Sequence, residues 1–160
     1  MAPLPVDAPA RPRWAWAGVA AIVFSALYLL SDVYEELEDG FSTPQLLLTL
    51  VAEAAIPVFV VGLALAQRPK IGRLGIWSAG AYAYAYVFFT ATVVYALVDG
   101  TPDYDALTDD LGLAMTVHGA IMVVAGIGFG VAVIRARVFP AWTGAVLVAM
   151  GGGMLATGRR

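Results

Sequence analysis

The sequence contains no cysteine and few charged residues. Without cysteine the chain has no disulfide, no thiolate metal site and no cysteine nucleophile. Charged residues make up 13% of the 160 residues and hydrophobic residues 61%, whereas a soluble domain has roughly 25% charged and about 45–50% apolar residues. The mean hydropathy of +0.81 therefore indicates an integral membrane protein. The net charge of −3 argues against nucleic acid as a partner.

Five apolar stretches follow one another and predict an all-α bundle of about five transmembrane helices. A helix needs ~20 apolar residues to cross a bilayer, so this short chain has no room for a large soluble domain. Residues 1–13 are rich in proline and lack apolar periodicity, which is typical of a disordered tail. The predicted spans, which together form one domain over residues 14–160, are about 14–31, 44–66, 71–98, 110–134 and 140–157.

Polar residues at the ends of the apolar stretches predict where helices begin. Thr43 is a suitable N-cap, and Pro44 follows it at a position where its missing N–H costs nothing. Asp109 and Asp110 are expected to cap the fourth span in the same way. The fifth stretch is short and carries three glycines at 151–153, which makes it the weakest of the predicted spans.

A shift of 65 residues aligns the first two spans with the third and fourth without a gap. It places Glu53 on His118 and Phe24 on Phe89. Such a match predicts a tandem two-helix repeat followed by a short fifth helix. Apolar helices also match one another by chance, so the duplication is a hypothesis.

Basic and acidic residues separate toward opposite ends of the predicted bundle. With alternating spans, seven of the nine basic residues fall on the side of residues 1–13, which the positive-inside rule assigns to the cytoplasm. This predicts a multi-pass protein of the cell membrane with a cytoplasmic N-terminus and an outer C-terminus. Ten of the twelve acidic residues fall in two outer loops, at 32–39 and 99–110.

Glu53 is the one acidic residue well inside a predicted span. It lies about nine residues into its helix, roughly 12–14 Å deep at 1.5 Å per residue. A charge at such a depth costs at least ~2.5 kcal/mol, so we expect Glu53 to be neutral or paired. Pro57 lacks an N–H and leaves the backbone carbonyl of Glu53 without its helical partner. Ionisable groups inside membranes are usually functional, although a helix-linking role is the structural alternative.

His118, the single histidine, lies at a similar depth in the fourth span. One glutamate and one histidine are too few ligands for a zinc site, so the sequence predicts no metal and no cofactor. Polar stripes on the other spans bring further groups to the outer half, where we expect Glu53, His118 and Tyr86 to be catalytic. The residues expected to bind a ligand there are Ser25, Tyr28, Asp32, Thr49, Tyr82, Thr90, Met115 and Met122.

These features favour an outer-half pocket for an apolar or amphipathic small molecule. One hypothesis is a cofactor-independent enzyme that isomerises or cyclises a polyene or other lipid-like substrate by proton transfer. A second is an accessory, sensor or scaffold subunit that packs against a membrane-protein partner or another copy of the chain. A third is a small proton- or cation-coupled transporter. Membrane lipids are expected to surround the protein in all three cases.

Overall fold

The computed structural model describes residues 14–157, and this part of the chain is all-helical without a strand. Long apolar stretches form helices because a helix satisfies its backbone hydrogen bonds internally, as a bilayer requires. The helices are α1 (Trp14–Glu38), α2 (Thr43–Ala66), α3 (Gly72–Asp99), α4 (Tyr104–Leu111), α5 (Leu113–Ala136) and α6 (Ala141–Thr157).

Three of these helices, α2, α3 and α5, are long and apolar enough to cross a membrane. They indicate a membrane protein with more than one pass. The prediction of about five spans is thus supported for three helices in the described part of the chain, while spans at α1 and α6 stay predictions. With 17 residues, α6 is slightly shorter than the ~20 residues of a typical span.

The first two helices begin and end close to the predicted positions, with two differences. α1 continues to Glu38, so the acidic residues after Ser31 extend the helix instead of forming a loop. Glutamate is a good helix former, which allows the helix to continue beyond its apolar part. α2 begins at Thr43, and the N-cap is Ser42, one residue before the predicted cap. The Ser42 side chain makes no capping hydrogen bond.

The predicted cap of the fourth span is wrong, because Asp109 and Asp110 lie inside the short helix α4. Asp103 caps α4, and its side chain accepts a hydrogen bond of 2.8 Å from the backbone N–H of Ala106, whereas the N-cap of the long helix α5 is Gly112, without a side-chain cap. Gly112 then adopts a positive φ of 46°, a backbone conformation that favours glycine, and separates α4 from α5. The long helix α5 therefore begins at Leu113.

The main helix contacts follow the chain: α1 packs on α2, α2 on α3, α3 on α5, and α5 on α6. The connections alternate between two ends of the molecule. We call the end with the α2–α3 turn and its Arg68 and Lys70 the basic end, and the opposite end, with α4, the acidic end. A buried cluster in the basic half includes Val60, Phe129 and Val133. A second cluster, at the acidic end, includes Leu46, Val93, Leu107 and Met115.

Candidate functional site

The contact between α1 and α2 contains buried polar side chains. Ser31 is fully buried, and its hydroxyl donates a hydrogen bond of 3.2 Å to the backbone carbonyl of Gln45. The Ser31 and Thr49 hydroxyls also share a hydrogen bond. Gln45, Thr49 and Glu53 follow one another at intervals of four residues, which places them along one face of α2. This face packs against α1 and forms a polar line.

The polar line begins near the acidic end at Glu35. The side-chain amide of Gln45 donates a hydrogen bond of 3.0 Å to Glu35 Oε2. Glu35 lies beyond Ser31, where the first span was predicted to end. Partial burial raises the pKa of the Glu35 carboxyl, and the neighbouring Asp32 and Glu36 raise it further. Glu35 therefore holds a proton more readily than a free glutamate does, at the point where the line meets the surface.

The deep end of the polar line is Glu53, whose side chain is buried with 6% exposure. The Tyr28 hydroxyl donates to Glu53 Oε1 over 3.5 Å, which is a long and weak hydrogen bond. Glu53 Oε2 is buried and has no partner among the described residues. Glu53 sits in sequence between Leu50, which packs on the acidic-end cluster, and Ile56, which packs on the basic-half cluster. One carboxyl oxygen thus lies without a hydrogen-bond partner among the described residues, at the junction of two apolar regions.

Tyr86 of α3 lies near this carboxyl group, and Tyr82 of the same helix packs on Tyr86. Tyr86 is close enough to Tyr28 and Glu53 to interact with both electrostatically. Its ring meets that of Tyr82 edge to face, with centroids 5.1 Å apart. Gly126 of α5 makes room for Tyr82, because a Cβ at that position would lie 3.0 Å from Tyr82 Cε2. The structure therefore brings Tyr28 and Tyr86 to the deep end of the line, and Tyr82 packs on Tyr86.

His118 has a separate set of partners. Its Nε2 is 3.1 Å from the Tyr84 hydroxyl, and its Nδ1 bonds to the backbone carbonyl of Ala114 at 2.8 Å. Its ring stacks on Phe88 with centroids 3.7 Å apart. Tyr84 and Tyr86 are two residues apart, about 200° around a helix, so His118 lies on the face of α3 opposite to Tyr86. No hydrogen bond joins His118 to Glu53.

The remaining residues expected at the site are distributed more widely. Ser25 and Asp32 of α1 are exposed. The Thr90 hydroxyl donates to the backbone carbonyl of Tyr86 within α3. Met115 is buried in the acidic-end cluster, and Met122 packs against the basic-half cluster. Of the expected ligand-binding set, Tyr28 is therefore placed at Glu53 and Thr49 on the polar line, while Tyr82 contacts Tyr86.

Three residues of the polar line were not among those expected to form a site: Ser31, Glu35 and Gln45. Tyr28, Ser31 and Glu35 repeat at intervals of three and four residues, and so do Ser25, Tyr28, Asp32 and Glu35. The stripe expected from the sequence combined residues of α1 that face α2, Tyr28 and Glu35, with the exposed residues Ser25 and Asp32. Phe24 continues the set of α1 residues that face α2, and its ring packs at a tilt against that of Phe59 with centroids 5.6 Å apart. Its position in the sequence could have indicated which face of α1 meets α2.

The site contains a carboxyl group, phenols, hydroxyls and an amide. Such groups bind and move protons and donate hydrogen bonds. Among the described residues no group of three or more His, Asp or Glu side chains is arranged to hold a metal ion. Comparisons with protein-family models, with curated proteins and with solved structures find no significant match to this chain.

Proposed function

We propose that this is a small multi-pass protein of the cell membrane with an acid–base site at Glu53 that opens toward the acidic end. The observation that carries the proposal is the polar line from Glu35 through Gln45 and Thr49 toward Glu53, which ends in a buried carboxyl oxygen without a partner. Hydrogen bonds along this line connect Glu35 near the surface with Thr49, one helical turn from Glu53, and would carry protons over that part of the way. The apolar surroundings favour the neutral, protonated form of the carboxyl group.

The surroundings of Glu53 favour an apolar or amphipathic substrate, such as an isoprenoid or another polyene. The neutral carboxyl group donates its proton to one carbon of a double bond, and the electron pair of that bond forms the new C–H bond. The resulting carbocation then loses a proton from a neighbouring carbon to the Glu53 carboxylate, which regenerates the acid. The reaction is a mass-neutral isomerisation or cyclisation and consumes no co-reactant.

The neighbouring tyrosines can stabilise the two charged species of this reaction, the Glu53 carboxylate and the carbocation. The Tyr28 hydroxyl is placed to donate to the carboxylate that forms when Glu53 gives up its proton. Tyr86 and its edge-to-face partner Tyr82 are aromatic, and aromatic faces attract a cation by an amount that grows as water is removed. His118, on the opposite face of α3, takes no part in this scheme.

Access from one end favours this function over coupled transport. A transported ion needs a polar route through both halves of the molecule. On the basic side of Glu53 the helices meet through Val60, Phe129 and Val133, which offer an ion no polar group. With the positive-inside rule, the basic end is cytoplasmic, and the site opens toward the outer face.

The test compares apolar extracts of cells that produce the wild type, Glu53→Gln and Glu36→Gln. Glu36 is exposed on α1, so Glu36→Gln is a matched control for the loss of one carboxyl group. Chromatography with mass spectrometry should reveal an isomer of unchanged mass with the wild type and with Glu36→Gln. We expect Glu53→Gln to form it at a rate lower by roughly 100-fold or more. Identical extracts from the wild type and Glu53→Gln would contradict the proposal.

A further inference from the structure

Two grooves on the surface of the molecule meet at Trp77. The first, of about 500 Å³, lies between α3 and α5 and is lined mainly by small and apolar residues, among them Ala81, Ala120 and Val124. The second, of about 450 Å³, lies at the basic end and is lined in part by Arg68 and Arg73. Trp77 lines both grooves, and 78% of its side chain is exposed. We call them the apolar groove and the basic groove.

The basic groove has no carboxylate from its own helices to neutralise it. The sequence contains no Asp or Glu between residues 54 and 98, and none between residues 111 and 160. These two segments contain α5, α6, most of α2 and all of α3 except its last residue, Asp99, at the acidic end. Arg68, Lys70 and Arg73 are all exposed. These two segments therefore offer no carboxylate to pair with their positive charge, which remains available to an anion from outside.

We infer that the two grooves together bind one anionic phospholipid, with its phosphate at Arg68 and Arg73 and an acyl chain in the apolar groove. Charge complementarity selects the headgroup, because basic pockets between membrane helices attract anionic lipid heads. The adjoining apolar groove selects a lipid over free phosphate. Trp77 stands at the junction, where tryptophan is typical of the boundary between headgroups and acyl chains.

The apolar groove runs along a face of α3 that is separate from the Glu53 site. Trp77, Ala81, Tyr84 and Phe88 follow one another at intervals of four, three and four residues, so they share one face of α3. Tyr86 is two residues away from both Tyr84 and Phe88, on the opposite face. The lipid site thus does not depend on the proposed chemistry of Glu53.

The test uses the purified full-length protein in detergent, with W14F/W16F/W142F leaving Trp77 as the sole tryptophan. Phosphatidylglycerol and phosphatidylcholine with the same brominated acyl chains are titrated separately, because bromine quenches tryptophan fluorescence on contact. We expect phosphatidylglycerol to reach half-maximal quenching at a concentration roughly 10- to 30-fold lower, as two arginines each contribute about fivefold. Equal quenching by both lipids would overturn the inference.

A charge-matched pair of variants distinguishes a specific headgroup site at Arg68 and Arg73 from a general attraction of anionic lipid to the basic end. R68Q/R73Q and R135Q/R137Q each remove two positive charges from the basic end. R68Q/R73Q should abolish the preference for phosphatidylglycerol, and R135Q/R137Q should retain it. Equal loss in both variants would overturn the inference, and so would displacement of the lipid by inorganic phosphate at the same concentration.

A second pair of variants tests the acyl chain. A81L/A120L fills the apolar groove and should reduce quenching by both lipids, whereas A54L/A91L enlarges exposed positions outside it and should not. Thermal unfolding of each variant verifies that it is folded. If A81L/A120L does not fold, the milder variant Ala120→Leu, at an exposed position, replaces it. Unchanged quenching in the folded groove variant would overturn the inference. Glu53→Gln should leave all these titrations unchanged, so this test and that of the proposed function fail independently.

Discussion

Glu53 of α2 and His118 of α5 approach opposite faces of α3, Glu53 the face of Tyr86 and His118 the face of Tyr84 and Phe88. Glu53 is approached by Tyr28 of α1 and by Tyr86 of α3. His118 instead bonds to Tyr84 and stacks on the neighbouring Phe88. The molecule therefore contains two separate groups of polar and aromatic residues, and the predictions for them differ.

His118→Phe should leave the Glu53-dependent conversion unchanged. Phenylalanine keeps an aromatic ring for the stack on Phe88 and removes only the hydrogen bonds of the imidazole. Because no bond links His118 with Glu53, proton transfer at Glu53 should continue. The measurement is the isomer ratio in extracts of cells that produce this variant. A loss as large as that of Glu53→Gln would mean that the two residues act together.

Glu53 should react with dicyclohexylcarbodiimide, an apolar reagent that attacks protonated carboxyl groups. Its buried carboxyl group is expected to be neutral, because a charge inside the membrane is costly. Peptide mass spectrometry should find the adduct at Glu53 in the wild type and in Glu36→Gln. The adduct should be absent from Glu53→Gln. A water-soluble carbodiimide should instead label exposed Glu36. Failure of the apolar reagent to modify Glu53 would indicate that the carboxyl group is ionised or inaccessible.

The sequence was sufficient to predict that Glu53 of α2 lies inside the bundle but not which residues of α1 meet it. The depth of Glu53 follows from counting residues along an apolar stretch. The rotation of α1 about its axis does not, because the adjacent Ser31 and Asp32 can each share a helical stripe with Glu35, which allows two overlapping stripes. Packing decides between them: the smaller Ser31 is buried against α2 and the charged Asp32 is exposed.

The position of His118 illustrates the same limit for pairs of helices. Matching depths suggested that Glu53 and His118 meet. Contact also requires that both side chains point into the same space, which depends on how α3 is placed between them. The 65-residue shift has a related difficulty, since it matches Tyr28, the partner of Glu53, with Val93 rather than with Tyr84 or Phe88, the partners of His118.

Ser31→Ala should destabilise the protein, whereas Ser25→Ala should not. Ser31 is fully buried and bonds to the Gln45 carbonyl and the Thr49 hydroxyl, while Ser25 is exposed six residues earlier on the same helix. Hydrogen bonds between membrane helices contribute on average about 0.6 kcal/mol and at most about 1.7 kcal/mol, so the expected loss lies in this range. Unfolding in mixed detergent measures it. Equal stability of the two variants would indicate that α1 is rotated from the position described.

Gly130→Ala should destabilise the protein, and Gly119→Ala on the same helix should not. A Cβ at Gly130 would lie 2.7 Å from the backbone oxygen of Gly144 in α6, which cannot move without separating the helices. Overpacking of this kind costs about 1–3 kcal/mol. A Cβ at Gly119 meets nothing within 4 Å, so alanine there should be neutral or stabilising by up to about 1 kcal/mol through its helix propensity. The free energy of unfolding, measured for both variants under the same detergent conditions, should therefore be lower for Gly130→Ala than for Gly119→Ala by more than the experimental error. A stable Gly130→Ala would mean that α5 and α6 do not approach this closely in the membrane.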